Sequence, residues 1–284
     1  MASPDKLIAF QGAPGANSDI ACRSAYPDMT SLACDTFADA FAAVQNGAAK
    51  LAMIPIDNTV AGRVADIHHL LPDSGLHIIG EHFERINHQL LVLPGTKLGE
   101  VKEVHSHVHA LNQCRNLIRA LGVKAVVHAD TAGAAADIAA WKDKTKASIS
   151  SRLAAEVYGL EILRSDIEDA EHNTTRFVVL SRDSLQPAPG SGDTITSFVF
   201  RVRNIPASLY KAMGGFATNG VNMIKLESYV GEGFVIAQFY AEVEGHPEDT
   251  GLKLALEELG FFSTEVNILG VYPANAYRKT AASA

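Results

Sequence analysis

The chain has 284 residues, a formal charge of −8, 47% apolar and 20% charged residues. It is long enough for two domains and ordinary for a soluble globular protein, and without a basic stripe it is not expected to bind nucleic acid. Met1-Ala2-Ser3-Pro4-Asp5-Lys6 lacks a leader pattern, no apolar run approaches the roughly 20 residues of a spanning helix, and Cys22, Cys34 and Cys114 lack disulfide or zinc spacing, so a cytoplasmic, metal-free protein away from membranes is expected.

Residues 7–10 form a compact apolar strand, ended by the turn Gly12-Ala13-Pro14-Gly15, and a helical pattern covers residues 17–26. The loop from Gln11 to Ser18 offers backbone amides at a helix start, as an anion or substrate loop would. A plain structural turn is the alternative. A dinucleotide loop is disfavoured, although Asp35 follows after another short strand: the G-x-G-x-x-G spacing is absent and Pro14 removes a donor. Residues 51–56 make a second buried strand. Asp57-Asn58-Thr59 closes it, either as a ligand site at a strand's C-terminal end or as a helix cap.

A helix is expected over residues 64–71, followed by apolar runs at 78–79 and 89–93. Residues 103–105 lead into a helix over 107–121, residues 125–127 into one over 131–141, and residues 147–149 into one over 152–158. The alternation predicts an open, mostly parallel α/β arrangement. His105, His107 and His109 alternate, but entry into a helix near residue 107 breaks their shared face, so no metal site is expected. Ser106 reads as a cap whose neighbouring amides could bind a carboxylate, and Gln113, seven residues on, projects from nearly the same side. Thr131-Ala132-Gly133 starts another helix after a strand. Several such N-termini converging on a cleft would suit a small polyanion.

His172-Asn173-Thr174-Thr175-Arg176-Phe177 runs straight into Val178-Val179-Leu180. Polar groups at the mouth of a buried strand serve a ligand better than a core, and alternation lets only one of the two threonine hydroxyls face a given side. Residues 181–193, with Gln186-Pro187-Ala188-Pro189-Gly190-Ser191-Gly192, read as a linker. Beyond it come a strand at 194–201, a helix at 207–218, strands at 222–230 and 234–243 turning at Gly231-Glu232-Gly233, a helix at 247–259 and a strand at 263–271. That βαββαβ order is the ferredoxin-like split arrangement, whose sheet edges commonly pair between chains. The tail, residues 278–284, is expected to fray.

Several pieces stand in one order: Ile8-Ala9-Phe10-Gln11-Gly12 with Gly15-Ala16-Asn17-Ser18, then Pro55-Ile56-Asp57-Asn58-Thr59-Val60-Ala61-Gly62-Arg63-Val64. Ser106-His107 with Ala110-Leu111-Asn112-Gln113-Cys114, Thr131-Ala132, Ala154-Ala155-Glu156-Val157-Tyr158-Gly159-Leu160 and Asn173-Thr174-Thr175-Arg176-Phe177 complete the series. Residues 1–183 thereby resemble the prephenate dehydratases, and residues 194–284 resemble the ACT regulatory domain that usually follows. The resemblance implies a two-lobed catalytic domain like the periplasmic binding proteins, with its site between the lobes, followed by a ferredoxin-like ACT domain.

It further implies conversion of prephenate to phenylpyruvate, water and carbon dioxide in phenylalanine biosynthesis, without a cofactor. No chorismate mutase segment precedes the matching pieces, so the monofunctional form is expected. An arogenate dehydratase and a non-catalytic amino-acid sensor are the alternatives. The family's essential threonine maps to Thr175, and its other cleft residues map to Asn58, Ser106, Gln113 and Asp57, where the family more often has Glu. Substrate contacts are expected from Gly12, Ser18, Thr59, His107, Thr131 and Ala132, and from Asn173, Arg176 and Phe177.

Feedback by L-phenylalanine is expected through Ala207, Ser208, Leu209, Asn222, Glu227 and Ser228. The motifs there depart from the family's, ending in Tyr210 and in Tyr229-Val230. A homo-oligomer, dimer or tetramer, is implied as well.

Prephenate becomes aromatic as it loses a ring carboxylate and a ring hydroxyl, and the departing oxygen needs a hydrogen bond or a proton. Thr175 is expected to donate that hydrogen bond, in electrostatic and positioning work, because an alkyl hydroxyl is too weakly acidic to be a true acid. Asp57 is expected either to serve as the acid, its pKa raised by two substrate carboxylates, or to hold Asn58 in place. Arg176 either anchors a substrate carboxylate or steadies its loop, and Asn173 shapes the turn.

Overall fold

A computed structural model describes residues 3–64, 67–170, 172–203, 205–230 and 236–281. The chain divides into two compact units, Met1–Val64 with His82–Phe177, and Ala65–Glu81 with Val178–Ala284.

The first unit opens with β1 (Leu7–Gln11), α1 (Asn17–Ala25), β2 (Thr30–Cys34), α2 (Phe37–Gln45), β3 (Leu51–Asn58) and β4 (Gly62–Arg63). After α3 (Ile67–Leu70), β5 (His77–Arg85) brings the chain back into this unit at residue 82. Then follow β6 (Gln89–Val92), β7 (Glu103–His107), α4 (Val108–Gln113), α5 (Arg115–Leu121), β8 (Lys124–His128) and α6 (Thr131–Trp141). The unit ends with β9 (Lys146–Ser150), α7 (Arg152–Tyr158), β10 (Glu161–Arg164) and the start of β11 (Thr174–Ser181).

One sheet has the order β2-β1-β3-β11-β5, with β4 paired to β3, and a second has the order β10-β6-β9-β7-β8. β1 runs parallel to β2 and β3, and β7 parallel to β8 and β9, whereas β6 is antiparallel to β9 and β10. The parallel strands read as apolar runs because both faces are covered: Ile8, Ala9 and Phe10 of β1 are all buried. Strand ends and helix starts therefore share one rim of each sheet, the usual place for ligands in α/β folds.

Several local expectations are corrected. The helix expected over residues 107–121 is two helices, broken at Cys114 (φ −126°, ψ 30°). Asp169 causes the break: its backbone N–H donates to the Gln113 carbonyl at 2.6 Å, and its carboxylate accepts from the Arg115 and Asn116 amides. These groups take over the bonds that a continuous helix would make. Ser106 is no cap. It lies fully buried on β7 and its hydroxyl donates to the Ile149 carbonyl, while the His107 side chain accepts from the His109 amide as the helix N-cap.

Asp57-Asn58-Thr59 does not cap a helix either, because β3 turns directly into β4, pairing Asp57 with Arg63 and Asn58 with Gly62. Asp130 caps α6, accepting from the Gly133 amide at 2.7 Å, and this places Thr131 and Ala132 in the first turn. Within the expected helix at 64–71, α3 covers Ile67–Leu70, while residues 65 and 66 lie outside the described residues.

Gly15 is required where it stands. Its φ of +88° is in the left-handed region, and a Cβ there would lie 2.7 Å from Ala154 Cα. That close approach lets Ser151 Oγ, the N-cap of α7, donate to the Gly15 carbonyl, while Tyr158 Oη donates to the Pro14 carbonyl at 2.9 Å. Asp19 holds the other side of the loop, accepting from Gly15 N, Ser31 Oγ and the Arg23 guanidinium. Burial pushes the Asp19 carboxyl up, but the hydrogen bonds from Arg23, Ser31 and Gly15 together outweigh it and keep it below the ordinary carboxylate range.

In the second unit, β12 (Thr194–Val202), α8 (Ser208–Thr218), β13 (Met223–Val230), β14 (Ile236–Glu244), α9 (Thr250–Phe262) and β15 (Ser263–Pro273) follow the order βαββαβ, and α10 (Tyr277–Ala281) ends the described chain. Their sheet is antiparallel in the order β13-β14-β12-β15. One face carries Phe198, Phe200, Phe239 and Val243, which pack with Phe216 and Ala212 of α8 and Leu252, Ala255 and Leu259 of α9. Phe198 stacks on Phe216 and Phe200 on Phe239, adding aromatic contact to apolar burial.

The alternate residues Ser197, Tyr240, Glu242 and Tyr272 are buried on the other face. The turn expected at residues 231–233 lies outside the described residues. The tail does not fray as expected through its first four residues: 278–281 belong to α10, held by an ion pair from Arg278 to buried Glu81, while 282–284 lie outside the described residues.

Candidate active site

At the end of β3 the Asn58 amide has a fixed orientation. Its Oδ1 accepts from the Val60 and Ala61 backbone amides at 2.9 and 2.7 Å, an Asx-type turn that forces Nδ2 to point the other way. Nδ2 donates to Asn173 Oδ1 at 2.8 Å and to Thr175 Oγ1 at 2.9 Å. Asn173, nearly fully buried, therefore turns its own amide nitrogen to Gln113 Oε1 at 3.0 Å. Four residues from three distant stretches of chain thus form one directed series.

The direction of this series decides its chemistry. Thr175 is an acceptor from Asn58, and among the described residues nothing accepts its hydroxyl proton. Gln113 uses its carbonyl oxygen internally, and among the described residues nothing accepts from its amide nitrogen. Both side chains are half-buried, so the site presents two oriented donors and a potential anion-facing surface. Thr174 points elsewhere: it is buried, and its backbone amide donates to Thr59 Oγ1.

Thr59 in turn donates to the His172 carbonyl at 2.6 Å and bonds through its backbone N–H to the Thr174 carbonyl, stapling the β3–β4 turn to the start of β11. Arg176 is buried, lies 3.6 Å from the Asp57 carboxylate and faces the Phe83 ring at 6.0 Å.

The other expected residues stand apart from this series. Ser106 and Ala132 are fully buried, and Phe177 is 1% exposed within the core. Gly12 has φ +121° and donates its N–H to the Cys34 carbonyl, while Ser18 lies half-buried in the first turn of α1. His105 Nδ1 lies 2.9 Å from His128 Nε2, and the His107 ring tilts against His109, so the three alternating histidines do not converge.

In the second unit, Ala207 has φ +62° ahead of buried Ser208 and half-buried Leu209. Asn222 donates to Glu244 Oε2 at 2.9 Å, Glu227 pairs with Lys225 at 2.8 Å, and Ser228 is exposed on β13.

One participant carries little signal in the sequence. His88, 3% exposed, places Nε2 2.8 Å from Gln113 Oε1. Its cue is only that it immediately precedes β6. Burial lowers its pKa, and burial likewise lowers those of His105 and His107, with neighbouring His128 and His109 adding to the effect.

Below the ordinary histidine value near 6.5 the unfolded chain takes up protons that the folded chain resists, so these three contributions to stability are complete above about pH 6.5. They fade as pH falls through the lowered native values. The urea midpoint is expected to fall between pH 7.5 and 5.5, and the His88→Gln variant to show a shallower fall. An equal slope in both proteins would remove His88 from the linkage.

The prephenate dehydratase family model matches residues 8–185. A Komagataeibacter europaeus protein named bifunctional N-acyl-homoserine lactone acylase/prephenate dehydratase is 53% identical over 97% of this chain and 98% of its own. Arogenate dehydratase/prephenate dehydratase 1, chloroplastic, from Arabidopsis thaliana is 35% identical over 95% of this chain and 73% of its own. The crystal structure of an Arthrobacter aurescens prephenate dehydratase in complex with L-Phe superposes with a TM-score of 0.86 at 29% identity, covering 94% of this chain and 90% of that one. The chain belongs to the prephenate dehydratase family.

Proposed function

We propose that the chain converts prephenate to phenylpyruvate at the Asn58–Thr175–Asn173–Gln113 site. The observation that carries this is the fixed Asn58 amide, which occupies the Thr175 oxygen as acceptor and leaves its O–H to donate. In the reaction the ring C–C bond to a carboxylate breaks, its electron pair enters the ring and carbon dioxide departs. The ring C–O bond breaks in the same sense, and the leaving oxygen, with one proton drawn from solvent, becomes water. Thr175 hydrogen-bonds that oxygen as negative charge develops on it, and Gln113 Nε2 is placed to donate to substrate.

We assign Asp57 to holding Arg176, because protonating it would remove the anion that the guanidinium faces at 3.6 Å. Helix-start amides near Ser18, His107 and Thr131 supply further anion contacts. The first unit then acts as the two-lobed catalytic part, and the βαββαβ portion of the second as an ACT module. L-phenylalanine, the ligand in the Arthrobacter aurescens structure, is the proposed effector through residues 207–209, 222 and 227–228 of a homo-oligomer.

Purified protein given prephenate and arogenate separately is expected to form phenylpyruvate from the first faster than phenylalanine from the second, and added L-phenylalanine to slow it. Turnover of neither substrate would sink the proposal.

A second activity is favoured by the 53% identity to a relative whose name includes N-acyl-homoserine lactone acylase. Cys22 and Cys114 are buried and burial pushes both thiols up, so neither supplies a ready thiolate for such a reaction. Release of free fatty acid from an N-acyl-homoserine lactone, followed by mass spectrometry, decides it.

A further inference from the structure

We infer that His88 is a positioning residue for dehydration, held as the neutral imidazole with its proton on Nε2, and that it acts solely by locking the Gln113 amide. The inference rests on the prephenate dehydratase assignment above and adds to it a residue outside the motifs that mark the family resemblance.

The tautomer follows by elimination along the hydrogen-bond series. Two backbone amides fix Asn58 Oδ1, so Asn58 Nδ2 is the donor to Asn173 Oδ1. Asn173 must then offer Nδ2 to Gln113, and Gln113 must answer with Oε1. Reversing the Gln113 amide would set two NH2 groups against each other at 3.0 Å. His88 Nε2, 2.8 Å from that same Oε1, can therefore only be a donor. Burial keeps the ring neutral by lowering its pKa, and a neutral ring has a single N–H. That N–H is committed to Gln113.

The backbone makes the placement rigid. The His88 N–H donates to Glu168 Oε2 at 2.8 Å, its carbonyl accepts from Ile167 N at 2.9 Å, and Asn87 Nδ2 donates to Glu168 Oε1 at 2.9 Å. Asn87 and Gln89 line a cavity with Asn17 and Arg152, whereas the His88 ring between them is buried against Gln113. Gln113 sits where Asp169 breaks the helix, so its backbone is fixed and its amide is held from two sides. Two donors on one carbonyl leave its NH2 a single direction. Removing His88 Nε2 frees the Gln113 side chain to swing about one remaining bond.

Three measurements test this. In the wild-type protein, long-range 1H–15N spectra are expected to show His88 protonated at Nε2 and bare at Nδ1 near neutral pH. A ring protonated at Nδ1 would overturn the inference whether or not the protein turns over prephenate. His88→Phe keeps the bulk and loses the donor. It is expected to lower kcat for prephenate up to about a hundredfold, the effect of a small displacement of a reacting group, with KM changed much less. His88→Gln, which retains an N–H donor, is expected to recover most of the loss.

In the Gln113→Ala background, His88→Phe is expected to change kcat/KM less than twofold, because nothing is left for it to position. Full activity of His88→Phe, or losses that simply multiply in the double variant, would overturn the inference. Inactive wild-type protein would instead refute the dehydratase assignment, with the spectrum still deciding the tautomer.

Discussion

Thr175→Ala is expected to lower kcat for prephenate by about 10²–10³-fold, the usual consequence of deleting one hydrogen-bond donor aimed at developing negative charge. The prediction follows from direction, not proximity. Thr175 Oγ1 receives the Asn58 amide at 2.9 Å, so its own proton is the group offered outward. Thr175→Ser preserves both the acceptor and the donor and loses only a methyl group, so it is expected to keep at least a tenth of the activity. Thr175→Val keeps the branched shape without the hydroxyl and leaves Asn58 Nδ2 with one acceptor instead of two, so it is expected to be as inactive as the alanine variant.

The folded fraction of each variant, followed by circular dichroism and the urea midpoint, separates chemistry from stability. Thr175 is half-buried, so the alanine change is expected to destabilise the chain by only about 1 kcal/mol. Near-normal turnover by folded Thr175→Ala would remove the residue from the reaction.

Much of this arrangement is visible in the sequence because each polar residue involved closes a regular element. Asn58 ends an apolar strand, Asn173 and Thr175 open another, and Gln113 lies at the end of α4, within a helical pattern. Strand and helix periodicity are local, so such positions can be recognised one by one. Their joining is not local. The bonds between Asn58 and Asn173 and between Asn173 and Gln113 span 115 and 60 residues.

What escapes the sequence is nonlocal for the same reason. The helix break at Cys114 is made by Asp169, which lies far along the chain but beside Gln113 in space. His88 belongs to no motif, and it acquires meaning only when the Gln113 carbonyl arrives against it. By contrast α2 has a legible start that periodicity alone overlooks: Thr36 and Asp39 form a reciprocal capping box directly before Phe37. Ser106 shows the opposite error. A serine between two histidines at a strand–helix junction suggests a cap, yet two residues of extra strand, Ser106 and His107, carry it into the sheet, where its hydroxyl bonds to Ile149 O. A two-residue shift of an element's end is enough to turn a candidate ligand group into a structural one.

Arg278→Ala is expected to destabilise the protein by about 3–5 kcal/mol, the range found when one partner of a buried ion pair is removed. The residue lies six positions from the chain's last, in the tail that is expected to fray from its position, and its side chain is 24% exposed. Its Nε and Nη2 donate to the two Glu81 oxygens at 2.7 and 2.8 Å, a bidentate pairing, and Nη2 also lies 3.6 Å from Glu242 Oε2. The Glu81 side chain is 0% exposed and that of Glu242 is 1% exposed, so one guanidinium faces two buried carboxylates.

Hydrogen bonds support but do not replace it: Asn275 N donates to Glu81 Oε1 at 3.0 Å, and Tyr240 Oη donates to Glu242 Oε1 at 2.5 Å. Loss of the cation removes the charge that offsets two buried carboxylates in a medium that solvates them poorly. For a chain of this size such a change corresponds to a fall in Tm of about 10 °C or more.

Arg278→Lys keeps the charge but not the fork, and is expected to fall between the wild type and the alanine variant. A chain ending at residue 276 should lose at least as much stability as Arg278→Ala, because it removes the guanidinium together with the rest of α10. Glu81→Gln introduced into Arg278→Ala should recover part of the loss by removing one of the two buried charges. If Arg278→Ala shifts the urea midpoint no more than Lys253→Ala on the exposed face of α9, the tail is an ornament and the guanidinium is not what holds the cluster.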